Sequence, residues 1–176
     1  GAQANGNNAF AIGTNAVADG DESFAFGDGA DVATDATDAL AEGDNSKATG
    51  AYSSAYGENS KALSNFAYAY GTDAVAMGPN AIASGTDAAA TRNNAIAFGT
   101  DATSRADEGI AIGTSAIAGT SSKASVAIGD NSFAKEKDAI AVGANSVANG
   151  QNSYASGAAA LAKGNNTIAI GAGAAA

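Results

Sequence analysis

Glycine recurs along this chain at Gly13, Gly27, Gly43, Gly57, Gly71, Gly85, Gly99, Gly113, Gly129, Gly143, Gly157 and Gly171, every 14 residues except for two intervals of 16 that end at Gly43 and Gly129. A fixed period of this kind marks a stack of similar units, and it must be read before any single element is assigned. Two residues before the glycine stands Ala in all twelve turns, from Ala11 to Ala169. Four before it the residue is always small, as in Ala9, Ser23, Gly109 and Ser125. Three before it the residue is large and apolar or aromatic in eleven of twelve turns, and one before it in nine, with Glu42, Ser84 and Ser156 as the exceptions. Alternation with period 2, one face tiny and the other bulky, is the pattern of a β-strand.

A polar pair follows the glycine, such as Thr14-Asn15, Thr72-Asp73 or Asp130-Asn131, and reads as a tight turn. A second short strand comes next, with small residues at alternate positions: Ala16 and Ala18, Ser60 and Ala62, Ser132 and Ala134. The residue between them varies from Val17 to Lys61 to Thr103 and is expected to face outward. Often a further glycine, as at Gly20, Gly50 or Gly150, closes the turn. One turn is therefore strand, turn, strand, turn, and equivalent strands stack as parallel neighbours about 4.8 Å apart. Only Ala, Ser and Gly fit between two strands so close together, so the tiny face is the lumen. The expectation is an all-β parallel solenoid of about twelve turns, a single domain over residues 1–176.

A lumen of Ala and Ser buries little apolar area, while the outside of the first strand carries a stripe of Phe, Ile, Tyr and Val. In water such a stripe exceeds what a soluble monomer exposes. Self-association through it is expected, with closed cyclic symmetry. Spacing alone leaves open whether two or three chains meet.

The block Ser125-Val126-Ala127-Ile128-Gly129-Asp130-Asn131-Ser132 resembles the NSVAIGxxS head repeat of the YadA-like trimeric autotransporter adhesins. Looser copies begin at Ala9, Ala95, Gly109, Ala139 and Thr167, so the resemblance covers essentially the whole chain. It implies a left-handed parallel β-roll and a homotrimer displayed at the cell surface, on the outer membrane of a Gram-negative bacterium. It further implies that the trimer interface is formed by Phe10, Ile12, Phe24, Phe26, Tyr68, Tyr70, Ile96, Phe98, Ile110, Ile112, Val126, Ile128, Ile140, Val142, Ile168 and Ile170. The partner it implies is an extracellular matrix protein such as collagen or fibronectin, or a cell-surface ligand. Asn of the motif is replaced here by Ala124, and Ala holds many of the Ser positions, so collagen is one partner among several. The chain starts at Gly1 and shows neither heptads nor barrel strands, which reads as a head fragment without neck, stalk or membrane anchor.

Composition narrows the function. There is no His and no Cys, which excludes the common metal sites and every His-dependent catalytic arrangement. No catalytic residue, cofactor or metal site is expected. A net charge of −10 with only 8 basic residues argues against nucleic acid. No run of 18 apolar residues is present, so direct membrane insertion is not expected. A hexapeptide acyltransferase needs a six-residue period and a His, and neither occurs. An ice-binding solenoid, suggested by Thr after several of the glycines, and a purely structural spacer are the alternatives to adhesion.

The candidate ligand-binding residues are Asp35 and Asp38 in the first 16-residue turn and Asp130, Asn131 and Ser132 after the best motif copy, all expected to reach solvent. The second insertion falls at residues 119–123. Nine carboxylates from Asp19 to Asp44, with no basic residue before Lys47, make the N-terminal end anionic, a surface for solvation or for a basic partner. Aromatics concentrate in the N-terminal half, among them Tyr52, Tyr56, Phe66, Tyr68 and Tyr70, where they are expected to widen the core of the assembly. Glu42 stands at an interface position and requires a partner or solvent.

Overall fold

The computed structural model describes residues 1–119 and 124–176. The chain is an all-β parallel solenoid of about twelve turns, and no helix occurs among the described residues. It comprises two compact units, Gly1–Ala88 and Ala89–Ala176. In each unit the three-residue first strands form one parallel sheet and the two-residue second strands another, both in chain order.

In the first unit, the outward columns of the first-strand sheet run Phe10, Phe24, Leu40, Ser54, Tyr68, Ile82 and Ile12, Phe26, Glu42, Tyr56, Tyr70, Ser84. In the second unit they run Ile96, Ile110, Val126, Ile140, Tyr154, Ile168 and Phe98, Ile112, Ile128, Val142, Ser156, Ile170. Each partner lies 14 or 16 residues on, so the sequence period is the sheet register. The lumen is as small as the alternation requires: every buried apolar residue among those described is Ala, except Val32. Val32 precedes the seven-residue connection 33–39, where Ala36 turns inward and is fully buried.

The turns explain the polar pairs. After the glycine, the second residue of the turn adopts left-handed backbone, as at Asn15, Asn45, Asn59, Asp73 and Asn131 with φ between 54° and 60°. Asn and Asp tolerate that region better than other side chains. Its N–H donates to a carbonyl of the preceding turn, as from Asn45 to Asp28 at 2.8 Å, so the turn's polar backbone is not orphaned. A second left-handed residue sits five before each glycine, for example Asn8, Glu22, Asp38, Asn80 and Asn94.

The repeating glycine has a double requirement, shown at Gly143. Its φ is +126°, and a Cβ there would lie 2.6 Å from the Gly157 carbonyl oxygen. Backbone meets backbone at every such step within a unit, and nothing flexible stands in between.

Candidate functional site

The sixteen residues expected to meet in a trimer all lie on the outer face of the first-strand sheets, and none is buried. Phe10 is 55% exposed and Ile170 69%, although they are among the largest apolar side chains of the chain. The rings on this face are ordered against each other: Phe10 and Phe24 stack with centroids 5.3 Å apart, and Tyr56 and Tyr70 at 5.0 Å. This is an inverted arrangement, with methyl groups inside and rings outside.

Glu42 is the acid in this face. It is half-buried and pairs in register with Phe26 and Tyr56. The Glu42 carboxylate, and after it Tyr70, hold the Tyr56 phenol above its ordinary titration range, because a second negative charge beside the first is disfavoured. Glu42 keeps partial access to solvent, with the Tyr56 phenol of the next turn beside it.

The candidate ligand residues separate. Asp35 is exposed in the long connection, and Asp38 is exposed at a left-handed position with φ 55°. Asp38 also lines a shallow depression of about 350 Å³ together with Asn8, Phe10, Glu22 and Phe24. Sequence reading had Asp38 and the two phenylalanines, but not their grouping. The shared step from each to the next turn was the available signal. Of the second insertion, residues 120–123 lie outside the described residues.

Asp130 and Asn131 are exposed, and Asp130 already has a structural bond: its Oδ1 accepts the Thr114 N–H at 3.1 Å. Asp28 does the same for Thr14 at 2.8 Å, and Asp44 for Asp28 at 3.1 Å. The carboxylate after the glycine caps an N–H of the preceding turn.

Ser132 corrects an expectation. It is 1% exposed, in the lumen, and its hydroxyl finds no hydrogen-bond partner, so it cannot touch a ligand. The alternation that puts Ala134 inside puts Ser132 inside too. The same lumen position is Ala at Ala16, Ala74, Ala102 and Ala116. Ser132→Ala is therefore expected to leave stability unchanged or raise it by up to about 1 kcal/mol, since an unpaired buried hydroxyl is removed. A denaturation midpoint that falls would show that the hydroxyl is bonded.

Other chemistry is sparse. Lys47 and Asp31 pair at 2.7 Å on the second-strand sheet, both partly exposed. No group of three or more His, Cys, Asp or Glu among the described residues is placed to hold a metal ion. No helix there is long and apolar enough to cross a membrane. The Thr column after the glycine is broken in each unit, by Asp28, Asp44 and Glu58 in the first and by Asp130, Ala144, Ala158 and Ala172 in the second.

Comparison with individual curated proteins yields no match. The family model of the YadA head domain repeat, in contrast, matches residues 2–30, 35–60, 69–91, 90–116, 119–146 and 148–174. Those segments follow the turn architecture described above, and together they span nearly the whole chain. This chain belongs to the YadA head domain repeat family.

Proposed function

We propose that this chain is the attachment head of a bacterial surface adhesin, a non-catalytic module that works as a homotrimer of left-handed rolls at the outer membrane of a Gram-negative cell. One observation carries the reading: in each unit the outer face of the first-strand sheet is lined mostly by large apolar side chains, while the buried side chains among the described residues are those of Ala, Ser and Val32. Such a face is stable in water when it meets copies of itself. Three copies are favoured over two by the family to which the chain belongs.

With its apolar face engaged, a trimer offers its surroundings the second-strand sheets and the turns. These are built for display: tight, polar and hydrogen-bonded from turn to turn. The ligand classes favoured are an extracellular matrix protein such as collagen or fibronectin, or a component of a cell surface.

The test is binding of the folded 176-residue chain, immobilised, to collagens, fibronectin, laminin, glycans and intact cells. Saturable binding to at least one class is expected, and it should persist at moderate salt if turns and apolar contacts carry it. A folded trimer that binds none of them removes the attachment reading and leaves a structural spacer.

A further inference from the structure

Of the aromatics gathered in the first unit, Tyr56, Tyr68 and Tyr70 stand in the first strands, whereas Tyr52 and Phe66 stand on the turns that precede those strands. The pair occupies the left-handed position five before the glycine, with φ 58° each. The other described residues there are Asn, Asp or Glu, apart from Ala124. Left-handed backbone is strained for a bulky side chain, and such strain persists where the surroundings impose it, often at functional positions. Neither ring is drawn into the interior, since Tyr52 is 50% exposed and Phe66 51%.

The turn backbone fixes what lies above and below them. The Tyr52 N–H donates to the Thr37 carbonyl at 2.8 Å, the Phe66 N–H to the Ala51 carbonyl at 3.0 Å, and the Asn80 N–H to the Asn65 carbonyl at 3.1 Å. Asp38, Tyr52, Phe66 and Asn80 therefore follow one another from turn to turn. The two rings stack at 5.1 Å and 3°, which covers one face of each and leaves two faces outward, that of Tyr52 toward Asp38 and that of Phe66 toward Asn80. Asp38 and Asn80 are exposed and shorter than a ring, so the far half of each outer face overhangs its neighbour. The pair is a double shelf, with a carboxylate at the foot of one side and a carboxamide at the foot of the other. Beyond Asp38 the column continues to Glu22 and Asn8, which with Asp38 line the shallow depression of about 350 Å³.

A flat ring face with a carboxylate or amide at its edge matches a sugar ring. The sugar's C–H face is apolar, and its rim of hydroxyls both donates and accepts. Charge narrows the class. Gly1–Ala88 holds twelve carboxylates against two basic side chains, Lys47 and Lys61, and Lys47 is paired with Asp31, so a carboxylated or sulfated sugar is repelled. A cationic group would suit the Asp38 side alone, whereas hydroxyls suit both shelves.

We propose that the outer faces of the Tyr52–Phe66 stack bind uncharged sugar rings of a cell-surface glycan. The proposal rests on the attachment reading above and gives it a ligand class.

The test compares the full 176-residue chain with its variant Tyr52→Asn/Phe66→Asn. Asn is the residue used at this position in Asn8, Asn80, Asn94, Asn152 and Asn166, so the variant is expected to keep the parent's circular dichroism spectrum and, by sedimentation equilibrium, its association. Both are applied to immobilised oligosaccharides of glucose, galactose, mannose and N-acetylglucosamine, beside sialylated and sulfated ones. The parent should bind at least one neutral oligosaccharide and none of the acidic ones, and the double variant should bind it at least about tenfold more weakly. Asp38→Ala should weaken it too, through the lost hydroxyl contact. The same oligosaccharide, free in solution, should displace the parent from intact cells. Equal binding by parent and double variant, a preference for acidic sugars, or failure to displace the chain from cells would each overturn the proposal. So would weakened association of the double variant, which would return the pair to the contact between chains. A parent that binds cells or a matrix protein but no neutral oligosaccharide overturns this proposal and leaves the attachment reading standing, while a parent that binds none of them overturns both.

Discussion

Ile112→Asp/Ile128→Asp is expected to convert an assembled protein into folded single chains. The two residues are in-register neighbours on the outer face of the first-strand sheet, at 38% and 37% exposure. In an isolated chain the substitution costs little: neither side chain lines the lumen, and two like charges on adjacent strands cost on the order of 0.2–1 kcal/mol. In an assembly each chain would bring two carboxylates into an apolar contact, at a cost of several kcal/mol per uncompensated charge. Since about 1.4 kcal/mol is a factor of ten, association should fall by more than about a thousandfold. The parent is expected to sediment at three times its 16.7 kDa chain mass, and the variant at once that mass with its β spectrum retained. Unchanged assembly would mean that the apolar stripe is not the face at which chains meet.

Gly143→Ala should act on the fold instead of the assembly. The new Cβ would sit 2.6 Å from the Gly157 carbonyl oxygen, in backbone with φ +126°, a region that only glycine occupies without strain. Both partners are main chain, so relief requires prying two turns apart and lengthening the ladder bonds between them. A loss of at least about 3 kcal/mol is expected, large beside the 5–15 kcal/mol by which a typical domain is stable. Gly164→Ala is the matched control. Its φ is not left-handed and its nearest contact is a movable methyl, Thr167 Cγ2, at 3.0 Å, so its effect should be small. Chemical denaturation of both variants checks the contrast, and equal midpoints would show that the stack yields more easily than its backbone contacts imply.

Much of this was legible because the relevant signals are local. Ala two before the glycine in all twelve turns, bulky residues on either side of it in most of them, and Gly at the turn are read directly along the chain, since a strand's faces follow from its period of two. The solenoid, its lumen and its apolar face were therefore in the sequence, and so was the family. The candidate ligand residues fared less well. Asp130 looked free but its carboxylate holds the Thr114 N–H, and Ser132 looked polar and accessible but lies in the lumen. The same alternation that exposed the fold was enough to bury Ser132, had it been applied to the second strand as strictly as to the first.

What the sequence determined by itself was everything set by periods of 2 and 14: strand, turn, lumen, stripe. What only the tertiary structure decided depends on contacts between residues a full turn apart. These are the carboxylates capping N–H groups 14 or 16 residues earlier, the Glu42 carboxylate set against the Tyr56 phenol of the next turn, the depression shared by Asn8, Phe10, Glu22, Phe24 and Asp38, and the strained stack of Tyr52 on Phe66. A left-handed φ at an aromatic residue leaves no trace in composition or alternation. It arises because the turn backbone is imposed by the hydrogen-bonded ladder above and below it, whichever side chain happens to stand there.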